Sequence, residues 1–145
     1  MSQIALPNTN AGLFRRIAAG FYDSLLLIAV YFLLGAIAVA LNSGEALSDL
    51  AAVSLGLAVF PFVAFVFYSW FWLRDGQTLG MQAWRLKITT QNGDLTLKQC
   101  LIRFVLSIIG ILCCGLGVIW ILFDGQNRAW HDIASKTRIV RLQTH

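Results

Sequence analysis

Charge is what this chain has least of. Charged residues make up 12% of its 145 positions, about half the share near 25% that soluble globular domains carry. Hydrophobic residues make up 58% and the mean hydropathy is +0.71. That balance excludes an ordinary soluble domain and points to a chain embedded in lipid. Cysteine and histidine are also scarce. Cys100, Cys113 and Cys114 form no Cys-x-x-Cys pair, so neither a disulfide framework nor a thiolate metal centre is expected, and they read as small hydrophobes. The two histidines, His131 and His145, fall short of the three or four ligands of a zinc site. Gly115-Leu116-Gly117 lacks the preceding strand and third glycine of a nucleotide fingerprint. With no nucleophile–base pair and no phosphate loop, the chain is not expected to be an enzyme or to carry a cofactor or metal. The net charge is +4, but the basic residues flank apolar segments, so they are read as orienting the chain in a bilayer rather than contacting nucleic acid.

What the chain has is long apolar runs. Residues 17–41 hold Asp23 as their one charge, 50–73 hold none, and 99–123 hold Arg103. About 20 apolar residues cross a hydrocarbon core of about 30 Å, so the first two segments suit full spans. A cleaved signal sequence is not expected in the first, which exceeds the usual h-region of about 7–15 residues and contains an acid. Arg15 and Arg16 precede the first segment; Arg74, Arg85, Lys87 and Lys98 follow the second; the 42–49 loop carries only Glu45 and Asp49. The positive-inside rule puts the N-terminus and the 74–98 segment in the cytoplasm and the loop outside. Pro61 opens the backbone ladder of the second segment.

The tail carries Arg128, Lys136, Arg138 and Arg141 and is also expected inside, although residues 99–123 are long enough for one crossing, at about 37 Å. A weak internal repeat sides with charge. "WLRDGQTLGMQAWRLKIT" at 72–89 and "ILFDGQNRAWHDIASKTRIV" at 121–140 each leave an apolar helix through Asp-Gly-Gln. Each continues through an amphipathic, Trp-containing stretch and ends in a β-favouring run, "LKIT" or "TRIV". Equivalent units lie on one membrane face, where the two runs could pair, and the third segment then turns back at "CCGLG", 113–117. Asn92-Gly93 signals a tight hairpin. Thr96 and Gln99 form a capping box that starts the third helix near residue 97.

Arg16 and Asp23 lie about two turns apart on one helical face, with Ala19 and Gly20 between them as a groove for another helix. An Asp near a span's centre costs roughly 2.5–3.5 kcal/mol and is usually held inside the bundle. Arg103 lies at a matching depth in the third segment. Asp23 is therefore there to meet Arg103, to face a wet cavity, or both. A structural lock and a titrating carboxylate in an ion path are both open readings. His131-Asp132 reads as an interfacial pair anchoring the tail, and Asp75 and Asp124 as helix-ending turn residues before glycine.

Four stretches in order carry a resemblance: "RRIAAGFYD", "DGQTLGMQAWRLKI", "IRFV" and "HDIASKTRIV". The chain resembles the RDD family of small bacterial membrane proteins, named for an arginine and two aspartates. The resemblance, over roughly residues 12–141, places the arginine on Arg16, the first aspartate on Asp23 and the second on Asp132, with Asp75 as runner-up. Met81 stands where a Lys or Arg is expected. The resemblance implies a bacterial inner-membrane protein, and members have been suggested to transport ions or other small ligands.

The expected architecture is an all-α polytopic helical bundle forming one domain over 1–145. It has two full spans, a broken third apolar segment and short cytoplasmic strands and amphipathic helices. The expected role is a small ion or proton-coupled transporter, or a transporter subunit, using Arg16, Asp23 and Arg103 as its intramembrane charge site. The alternative is a non-catalytic scaffold that recruits partners through the Arg16–Asp23 face. The bilayer and a second copy or another membrane protein are the expected partners.

Overall fold

A computed structural model of the protein describes residues 11–45, 47–90 and 93–142. Two long helices dominate it, α1 (Leu13–Leu41) and α2 (Asp49–Asp75). Both are long and apolar enough to cross a membrane. They are apolar all round rather than on one stripe, and Phe14, Phe21, Phe32, Leu33, Leu57 and Phe62 stand exposed, as suits helices solvated by lipid. Helix α1 buries only Ala19, Asp23 and Leu27, one residue per turn along a single line. Helix α2 is opened by Ser48, whose side chain accepts from the Ala51 amide, and is closed by left-handed Gly76 (φ 69°). Pro61 lies within α2 without ending it. Beside it the Tyr31 hydroxyl donates to the Phe60 carbonyl (2.7 Å), tying α1 to α2.

Shorter elements follow α2. A short helix, α3 (Leu79–Ala83), follows N-cap Thr78, and strand β1 (Leu86–Thr90) follows it. The expected hairpin turn at Asn92-Gly93 lies in part outside the described residues. Gly93 bridges back to Thr90, but the run after it forms no second strand and leads into α4 (Leu97–Leu112). That helix opens with the Thr96–Gln99 capping box.

The third apolar segment is broken where the glycines predicted. Cys114 and Gly115 both adopt positive φ (56° and 78°). The chain bends by 109° into α5 (Leu116–Ile119) and a 3-10 turn, Trp120–Leu122. Gly110 and Gly117 let the arms touch: a Cβ on Gly117 would meet the Gly110 Cα at 2.7 Å. At about 24 Å, the sixteen residues of α4 fall short of a hydrocarbon core.

The tail forms α6 (Trp130–Ser135) and strand β2 (Thr137–Arg141). The two strands belong to the two copies of the sequence repeat. They pair antiparallel, with Ile88 opposite Ile139. The Ala11 amide also donates to the Ile139 carbonyl (3.2 Å), so the base of α1, β1 and the tail meet at one end of the molecule. There the core assembles from Ala19, Trp72, Met81, Leu86, Cys100 and Ile139. Met81, where the family resemblance implies a basic residue, is part of that core. The interior is thus concentrated beneath the small sheet, and the helix shafts contribute little to it.

Candidate functional site

Three charged residues from three elements converge at this end. Arg16 comes from the first turn of α1, Arg103 from the second turn of α4, and Asp132 from α6. Asp132 is fully buried. Its Oδ1 accepts from Arg103 Nη1 at 2.6 Å, and its Oδ2 accepts from Arg16 Nη1. Oδ2 also accepts from the Ala129 amide (3.2 Å), satisfying a free donor at the start of α6. Arg16 further donates to the carbonyls of Ala11 (3.0 Å) and Asn127 (2.9 Å). Arg103 donates to the Thr137 hydroxyl and lies over the Trp72 ring at 5.4 Å. Gln99 extends the clamp by donating to the Ser135 carbonyl (3.1 Å). The tail is held to α1 and α4 by one carboxylate shared between two guanidiniums.

Asp23 does not join this clamp, which corrects the expected Asp23–Arg103 pair. Its Oδ2 accepts from the Thr78 hydroxyl and its Oδ1 from the Gly80 amide (2.9 Å). The physical reason is the position of two short helices that depth matching along long helices overlooks. Helix α3 packs on α1 at Asp23, and α6 inserts Asp132 between the arginines. The groove is also narrower than expected. Ala19 is covered by α3, whereas Gly20 is exposed, with nothing among the described residues within 4 Å of an added Cβ. Asp75 lies outside the site, exposed beside Arg74 at 3.7 Å.

Electrostatics separate the groups further. Burial alone would raise the Asp132 carboxyl, but the charges of Arg103 and Arg16 outweigh it and hold the group below the ordinary carboxylate range. Burial, then the Arg103 charge, pushes His131 down to about 3, against a weaker upward pull from Asp132. The 3.6 Å approach of His131 Nε2 to Asp132 Oδ1 is therefore not an ion pair at neutral pH. Hydrogen bonds from Arg128 are the main reason Asp124 is lowered to about 2, so Asp124 organises the turn before α6. The clamp carries two guanidinium charges and one carboxylate charge, a surplus of one positive.

A pH dependence follows. His131 binds its proton more weakly folded (about 3) than unfolded (6.5), and Asp132 shifts the same way. The unfolded state therefore takes up more protons as pH falls, and stability is lost on acidification. We expect the unfolding temperature to fall steadily between pH 6.5 and 4 in a thermal melt. His131→Gln should flatten the upper part of that slope.

Between α1 and α4, floored by α2, lies a cavity of about 440 Å³. Asp23 and Ser24 face it from α1, Tyr68 and Trp72 from α2, and Arg103 and Ser107 from α4. Most of the remaining wall is apolar. Arg103 Nε, Trp72 Nε1 and Ser69 Oγ are buried without a hydrogen-bond partner among the described residues. Sequence reasoning missed Thr78, Gly80, Trp72 and Thr137. Thr78 alone carried a local signal, as the N-cap of "TLGM". Among the described residues, no group of three or more His, Cys, Asp or Glu side chains could hold a metal ion.

No curated protein and no solved structure matches the chain. The sequence pattern of the RDD family matches residues 10–136, a stretch that contains Arg16, Asp23, Arg103 and Asp132. Together with the two apolar helices, this makes the chain an integral membrane protein that belongs to the RDD family.

Proposed function

We propose that the protein is a multi-pass inner-membrane transporter, or transporter subunit, in which Asp23 binds the transported proton or cation. The observation that carries this reading is the division of labour between two acids. Asp132 takes both guanidiniums. Among the described residues, Asp23 is left on the cavity wall with only neutral donors, the Thr78 hydroxyl and the Gly80 amide. A carboxylate with no countercharge bonded to it is free to take a proton or cation. Arg16 and Arg103 are tied to Asp132 through their Nη1 atoms and are not ligands of the cation. The scaffold reading is weaker, because α3 covers the Ala19 part of the face that would have received a partner.

The basic N-terminus, the 74–98 segment and the tail are assigned to the cytoplasm. The pairing of β1 with β2 and the bond from Ala11 to Ile139 support that assignment, because they gather all three at one end. With so few helices, a second copy of the chain completes the path.

Flux in proteoliposomes tests the proposal. Under an imposed pH gradient, Asp23→Asn should reduce proton-coupled cation movement at least tenfold. Its unfolding temperature should stay within a few degrees of the parent. Equal flux in the variant, or none in the parent, would reject the reading.

A further inference from the structure

We propose that the cavity between α1 and α4 binds a small organic anion, a carboxylate with an apolar body, whose oxygens accept from Arg103 Nε and Trp72 Nε1. The inference rests on that cavity being the transport site, and it names the class of substrate.

Both side chains line the cavity. Arg103 is 2% exposed and Trp72 is 8% exposed. Each holds a buried N–H with no acceptor among the described residues. Neither nitrogen can act as an acceptor, so whatever satisfies them must bring oxygens of its own. Charge sets the sign of that partner. The clamp of Arg16, Arg103 and Asp132 holds one positive charge more than negative, and the His131 imidazole beside it is neutral. The walls set its shape: Phe104, Ile108, Ile111 and Val118 offer an apolar lining. A volume of about 440 Å³ falls within the roughly 300–1,000 Å³ of small-molecule sites.

Asp23 couples the anion to the cation. The ionisable groups facing it across the cavity are Arg16 on its own helix, Tyr68 on α2, Arg103 on α4 and His131 on α6; α3 presents none. An ionised Asp23 repels an anion in the same cavity, and a proton or cation on Asp23 removes that repulsion. Anion and proton therefore bind better together than apart, which is the requirement for carrying both in one direction.

The test is ligand-dependent thermal stabilisation of the full chain in non-ionic detergent, with hexanoate as the probe and hexanamide as its neutral counterpart. Hexanoate should raise the unfolding temperature, more at pH 6 than at pH 8, and hexanamide should not. Trp72→Phe, which keeps a ring but removes the N–H, should weaken hexanoate binding about tenfold. Asp23→Asn should tighten binding at pH 8 and remove its pH dependence. Should Trp72→Phe fail to fold, the comparison of hexanoate with hexanamide decides alone. Equal stabilisation by hexanamide, no effect of hexanoate, or unchanged binding in a folded Trp72→Phe variant overturns the proposal. So does stabilisation by phosphatidylglycerol without any by hexanoate, which would assign the two donors to a lipid headgroup. Binding with no flux leaves the anion site standing and removes the transport reading; flux with no hexanoate binding does the reverse.

Discussion

Asp132→Ala is expected to lower the stability of the fold by about 3–5 kcal/mol, the range seen when one partner of a buried ion pair is removed. The reason is what the substitution leaves behind. The side chains of Arg103 and Arg16 are 2% and 7% exposed, so two guanidiniums would face each other away from water with no carboxylate between them. Asp132 also satisfies the Ala129 amide at the start of α6, and that donor would lose its partner as well. The tail would be expected to release, taking β2 away from β1. Thermal melts in detergent measure the loss, and limited proteolysis of residues 124–142 reports the release. A loss below about 1 kcal/mol, with the tail still protected, would mean that the arginines find other partners and that the clamp is dispensable.

Gly80→Val should destabilise the fold by a different route and remove flux. A Cβ at position 80 would stand 2.2 Å from the Ala19 carbonyl oxygen and 2.9 Å from Asp23 Oδ1. Both obstacles belong to α1, one of them backbone, so α3 must move away. Overpacking of this kind costs typically 1–3 kcal/mol and sometimes more. The displacement also removes both hydrogen bonds to Asp23, because Thr78 and Gly80 sit at the same end of α3. Flux should therefore be lost even where the protein still folds. Gly20→Ala is the matched control: it lies one residue from Ala19 on the same helix, but a Cβ there meets nothing within 4 Å among the described residues. A melt and a flux assay on the two variants separate steric displacement from a general sensitivity of α1.

The parts of this architecture that were legible in the sequence are those set by local chemistry. Continuous apolar runs marked α1 and α2. Thr96 and Gln99 marked the start of α4, because a capping box needs only neighbours in sequence. The glycine-rich break and the two Asp-Gly-Gln units indicated a chain that folds back, and the strands of those units pair. The partner of Asp23 was not legible. Matching depth along helices treats them as rods in a bilayer, and Arg103 then looks like the natural countercharge. The actual partners are the N-cap and second residue of α3, a helix five residues long, too short to show a helical period in sequence. Asp132 gave no hint of its depth either. It becomes a buried ion-pair centre only once the tail has folded back between α1 and α4, a result of tertiary structure that local pattern does not encode. The Asn92-Gly93 signal is local as well and lies in part outside the described residues: Gly93 bridges back to Thr90, whereas the pairing of β1 with residues 137–141 is long-range.

The two acids are assigned different work, and double-mutant cycles on stability test that assignment most directly. Arg103→Gln is combined with Asp132→Asn in one cycle and with Asp23→Asn in the other. Groups in one ion-pair network couple by about 0.5–3 kcal/mol. Arg103 and Asp132 should couple at the upper end of that range, and Arg103 and Asp23 by less than about 0.5 kcal/mol. A larger coupling of Arg103 to Asp23 than to Asp132 would contradict the account, because the cavity acid would then be the partner of that arginine and not the free site for a cation.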